Sequence, residues 1–190
     1  MGKEDFAVLK MPLLLLSTIF ALWGLCYIYA IYFGFGYILE LVILIAEVAS
    51  LAFLIYSIRK ATKNMLILLC TLIAFVAFIL PIIYLPASIV FFGLSFSFSA
   101  QGLILKGFNM VTLLLLVFVF YLLSKEFDIP NLKNGYLVIL IAVFIGWLVN
   151  DIVGRLLGPY RYQNYLLIIA EFLISVGFLI MQSKSHPSTG

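Results

Sequence analysis

Long apolar runs separated by short charged clusters set the pattern of this chain. No charged side chain falls between Lys10 and Glu40, or between Lys63 and Lys106. A helix needs about 20 apolar residues to cross the hydrocarbon core of a bilayer, and runs of that length recur to the end of the sequence. The pattern predicts transmembrane helices over roughly 11–33, 37–58, 65–85, 103–123, 135–157 and 162–182. The expected fold class is all-α, a polytopic membrane bundle of six helices in a single transmembrane domain, with 183–190 a disordered tail. The first run is far longer than the apolar core of a signal peptide, and no small-residue cleavage motif opens it into polar sequence. It is expected to stay as a helix.

The third run is irregular. Pro81 and Pro86 bracket Ile82-Ile83-Tyr84-Leu85, and each proline removes an amide donor, so the helix is expected to end there. Residues 87–101 remain apolar but close in the alternation Ser95-Phe96-Ser97-Phe98-Ser99. A lipid-exposed strand edge is forbidden, so this segment is expected to be an interfacial connector or a re-entrant loop.

Charge then orients the bundle. Arg59, Lys60 and Lys63 follow the second run, Lys125 and Lys133 the fourth, and Lys184 the sixth. With Lys3 and Lys10 they place eight of the eleven basic residues on one side. Positive-inside bias puts both termini in the cytoplasm, which requires an even number of crossings. Hydrophobic residues make up 66% of the chain and charged ones only 10%, which leaves no soluble domain. The cell membrane is the expected location, and a net charge of +3 spent at helix ends gives no nucleic-acid footprint.

Shifting the chain on itself by 124 residues lays the first hairpin on the last. Trp23 then meets Trp147, Gly34 meets Gly158, and Ile45-Ala46-Glu47 meets Ile169-Ala170-Glu171. Leucine matches are cheap in so apolar a chain, whereas the only two tryptophans in register with a glycine and a glutamate are not. A parallel internal repeat of helices 1–2 with 5–6 is expected, related by an axis along the membrane normal.

Few polar residues lie inside the spans, and intramembrane ionisable groups are functional candidates by default. Glu40 and Glu47 are seven residues apart, hence near one helical face. Glu47 and Glu171 are expected at matching depth, where a facing pair would share a proton or hold a cation. Glu40, Glu47 and Glu171 form the candidate intramembrane proton or cation site. The competing expectation is that each carboxyl only ties neighbouring helices together. Asp151 and Arg155 are one turn apart and favour an ion pair. With Asn150 they make the candidate outer-face ligand or ion-pair site. Lys106 is expected to snorkel to the outer surface, and Cys26 and Cys70 to be small packing residues.

The only histidine, His186, is in the tail. No span can therefore offer an imidazole to haem, copper or zinc, nor a Ser–His or Cys–His nucleophile pair. No metal, cofactor or catalytic residue is assigned, although bound lipid or quinone is compatible with apolar walls. In outline the chain resembles the acid-resistance proteins of the HdeD type and the substrate-capturing subunits of energy-coupling-factor transporters. Leu167–Glu171, Leu-Ile-Ile-Ala-Glu, is similar to the last helix of the urea/amide channels. These likenesses of size, topology and one pentapeptide assign no residue a role. Composition favours a non-enzymatic accessory or partner-binding subunit of a respiratory or transport assembly, held to other membrane subunits or to its own copies. The alternative is a small proton- or cation-linked transporter or channel using the midplane glutamates.

Overall fold

The computed structural model describes residues 7–33, 37–92, 98–149 and 162–183. Their regular structure is wholly helical: α1 (Lys10–Phe33), α2 (Tyr37–Ala61), α3 (Met65–Phe92), α4 (Phe98–Phe127), α5 (Pro130–Val143) and α6 (Tyr162–Gln182). A π-helical stretch, Phe144–Val149, prolongs α5. Among the described residues, α1, α2, α3, α4 and α6 are each long and apolar enough to cross a membrane, and α5 is a shorter apolar helix.

The solvent preference of this bundle is inverted on α2. Its polar residues Glu47, Ser50 and Ser57 are 8%, 5% and 0% exposed, whereas Val42 and Ile45 are 58% and 61% exposed. Water would penalise that arrangement, whereas hydrocarbon requires it. Membrane insertion follows from this pattern together with helix length.

Each helix packs on its neighbours in chain order, and α1 closes against α6, so the described helices form a ring. One continuous apolar core fills it, drawing Leu16, Leu54, Phe78, Leu116, Ile139 and Ile174 from the six helices in turn. Phe20 stacks on Phe178 with centroids 5.6 Å apart, and Phe120 meets Phe178 edge-on at 5.9 Å. The hydroxyls of Ser17 and Ser175 lie 3.2 Å apart across the α1–α6 seam, both buried. α5 and α6 cross through glycines. A Cβ on Gly177 would sit 2.5 Å from Ile139 Cγ1 and 2.9 Å from the Gly135 carbonyl oxygen.

One end of the ring gathers the start of α1, the α2–α3 and α4–α5 turns, and the end of α6. Asn64 caps α3, its Oδ1 accepting the Leu66 amide at 3.1 Å. Asp128 turns α4 into α5 with φ of 50°, a left-handed conformation that aspartate tolerates better than most residues. Pro130 then opens α5, where a missing amide costs nothing. The Thr62 hydroxyl donates to Glu126 Oε1 at 2.5 Å, and Asn131 Nδ2 donates to the Ser183 carbonyl at 3.0 Å. Lys10, Arg59, Lys60, Lys63, Lys125 and Lys133 all belong to this end.

The structure corrects the expectation for the third run. α3 continues through Pro81 and Pro86 to Phe92, and residues 98–101 already belong to α4. Residues 87–92 and 98–101 are therefore helical rather than an interfacial or re-entrant connector; 93–97 lie outside the described residues. Stopping a helix in hydrocarbon strands several backbone groups, at several kcal/mol each, whereas a proline removes one hydrogen bond. The helix rule drawn from water gives way. α5 also begins earlier than expected, at Pro130, which places Lys133 in its first turn rather than in a loop. Cys26 and Cys70 are buried and half-buried in the bundle and form no disulfide.

Candidate functional site

Two of the three predicted intramembrane carboxylates meet. Glu47 lies 14 residues before the end of α2 and Glu171 lies 11 before the end of α6. At 1.5 Å per residue these are about 21 and 17 Å from the basic end, near mid-bundle. Both line one cavity of about 80 Å³, together with Trp23 from α1 and Asn109 and Thr112 from α4. Phe20, Leu51, Phe78, Leu113 and Leu116 make its apolar wall.

Their surroundings differ. Glu47 Oε2 accepts a hydrogen bond of 2.9 Å from Trp23 Nε1. Glu171 Oε2 is sealed from solvent and has no hydrogen-bond partner among the described residues. Thr112 Oγ1 donates to the Phe108 carbonyl at 3.0 Å and faces the Ala74 carbonyl at 3.4 Å, so its proton is spent on backbone. Among the described residues, no lysine, arginine or histidine lines the cavity. An ionised pair there needs a proton or another cation as its counter-charge.

A second cavity of about 130 Å³ adjoins the first, with Asn109, Leu113 and Glu171 common to both. Tyr27, Met110, Gly146 and Ala170 line its far side. The π-helical stretch carries Gly146, where an added Cβ would lie 2.8 Å from that of Ala170. Local π-helix is frequent at functional sites because it re-aims the turn on which it sits.

Glu40 stands on α2 seven residues from Glu47, with its side chain outside the described residues. Asn150, Asp151 and Arg155, the predicted outer-face site, also lie outside them. The sequence did not single out Asn109 or Thr112. Their spacing of three on one apolar helix puts both on one face, and that spacing was the available signal. Trp23 stood out only through its match with Trp147, with no acceptor attached to it. Comparison of the chain with protein families, with curated proteins and with solved structures gave no match.

Proposed function

We propose that this protein is a small proton- or cation-linked transporter or channel whose working site is the cavity between Glu47 and Glu171. The observation that carries this is the convergence of two carboxyl groups from different helices on one mid-bundle cavity that no basic residue lines among the described residues. A purely structural glutamate is expected to spend its oxygens on neighbouring helices. Glu171 lines the cavity and keeps one oxygen sealed and without a hydrogen-bond partner among the described residues. Composition alone favoured an accessory subunit of a larger assembly because so few polar groups were in sight to line a pathway. Trp23, Asn109 and Thr112 supply them. The apolar outer faces, which a partner subunit would use, are covered equally well by lipid.

In this proposal α5 with its π-helical extension, Pro130 to Val149, makes the sixth crossing. Twenty residues span about 30 Å, and α5 runs beside α6 from Ser183 to Ala170. The basic end then faces the cytoplasm with both termini. An ancestral duplication would account for matched glutamates reaching one cavity from equivalent helices.

Purified protein in liposomes tests the site. With an interior pH dye and a potassium diffusion potential, the wild type should acidify the lumen. E47Q and E171Q should each slow that flux by about 10²-fold or more, the scale on which a positioned proton carrier acts. Undiminished flux in the double variant would overturn the proposal. A stoichiometric membrane partner retained through mild-detergent purification, with no flux in the wild type, would restore the accessory-subunit alternative.

A further inference from the structure

We infer that the cation admitted to this site, in exchange with protons, is a small organic ammonium ion such as a methylated amine rather than a metal ion. The inference rests on the proposed transport function and names its substrate class. Three aromatic side chains from two helices, Phe20, Trp23 and Phe78, stand with the two carboxyl groups around the one cavity. Phe20 and Trp23 come from α1 and Phe78 from α3. A metal ion entering this space must exchange its water shell for a shell of protein oxygens. The wall offers six side-chain oxygens, two each from Glu47 and Glu171 and one each from Asn109 and Thr112, and one of Glu47 already accepts the Trp23 indole, so a full shell of free oxygens is not at hand. An alkylated ammonium ion carries the same charge with a far weaker water shell. Its alkyl groups match Leu51, Leu113 and Leu116, its charge matches Glu171, and aromatic faces attract it by roughly 2 kcal/mol or more when desolvated.

Volume sets the upper size. Cavities of about 80 and 130 Å³ fall well below the roughly 300–1,000 Å³ of sites for drug-sized ligands. The site therefore suits an ion of a few heavy atoms and not a bulky lipophilic cation. Glu171, which lines both cavities, is the anchoring carboxylate. Glu47, already held by Trp23, is the second charge.

The test uses the full chain in nanodiscs with Trp147 replaced (W147F), which leaves Trp23 as the reporting indole. Tetramethylammonium, potassium and sodium chlorides are titrated at constant ionic strength. Tetramethylammonium should change Trp23 emission saturably, acid should reverse the change, and potassium and sodium should leave it flat. E171Q should weaken the tetramethylammonium response by about 30-fold or more, as loss of a buried charge partner does. Tetramethylammonium uptake by wild-type proteoliposomes, driven by an outward proton gradient and absent from protein-free liposomes, gives a second measurement independent of the variant. Saturable potassium or sodium binding without a tetramethylammonium response would overturn the ligand class. So would a tetramethylammonium response that E171Q leaves unchanged. If proton flux depends on Glu47 and Glu171 while no ammonium ion binds, this inference alone fails. If flux ignores both residues, the transport proposal fails with it.

Discussion

At the residue scale, the two glutamates of the cavity are unlike, and the difference separates function from stability. Trp23 Nε1 spends its only donor on Glu47. Replacing that indole with a ring that has no N–H (W23F) leaves a buried acceptor unmet, at a cost of about 1–3 kcal/mol. E47Q keeps a carbonyl for the same donor and should stay within about 1 kcal/mol of the wild type, as measured by unfolding in mixed micelles. Glu171 has no such partner for Oε2. Exchanging an unsatisfied buried carboxyl for an apolar side chain of similar volume removes a desolvation cost of about 1–3 kcal/mol. E171M should therefore be at least as stable as the wild type while losing flux. A loss of several kcal/mol in that variant would mark Glu171 as structural glue instead. The presence of both glutamates and their depth were legible in the sequence, because a charge in a long apolar run is conspicuous. The identities of their neighbours were not. Trp23 reaches Glu47 across an interhelical gap that no periodicity encodes, and the single amide of Asn109 blends into a run of leucine, phenylalanine and valine.

At the element scale, five of the predicted runs correspond to helices long enough to cross a membrane, and the fifth opens as a shorter apolar helix whose predicted end lies outside the described residues. Hydrocarbon enforces this, since every backbone group inside it must be satisfied within its own segment. The misread segment was α3, where proline was weighed as in water. P81A should accordingly leave helix content unchanged, with stability altered by less than about 3 kcal/mol, the cost of an interior proline; circular dichroism and unfolding midpoints check it. The α5–α6 crossing should be far less forgiving. A Cβ at Gly177 would press on Ile139 and on the Gly135 carbonyl at once, and backbone cannot step aside as a side-chain end can. G177A should cost about 1–3 kcal/mol, in the range of core overpacking, and G177V more, read by the same unfolding measurement. Glycine positions were visible in the sequence, but which pair would touch was not, because that depends on the crossing geometry of two helices.

At the scale of the whole molecule, charge clustering and topology agree on a single basic end, and accessibility can verify which compartment it faces. In a chain with both cysteines changed to serine, K63C and D128C lie in two separate turns at that end. A membrane-impermeant maleimide should label both from the cytoplasmic side only. Labelling from opposite sides would break the shared-end arrangement, and labelling of both from outside would invert the orientation. The ring itself also has a consequence in time. α1 enters the bilayer well before α6 and, because the two pack together, waits for it before the seam is complete. At about 5–20 residues per second of synthesis, the more than one hundred residues between them take on the order of ten seconds. Throughout that interval Ser17 faces lipid without Ser175, and Glu47 has the Trp23 indole for company but no second carboxyl. The pair of acids is created only by closure, so an unfinished chain carries no doubly charged pocket into the membrane.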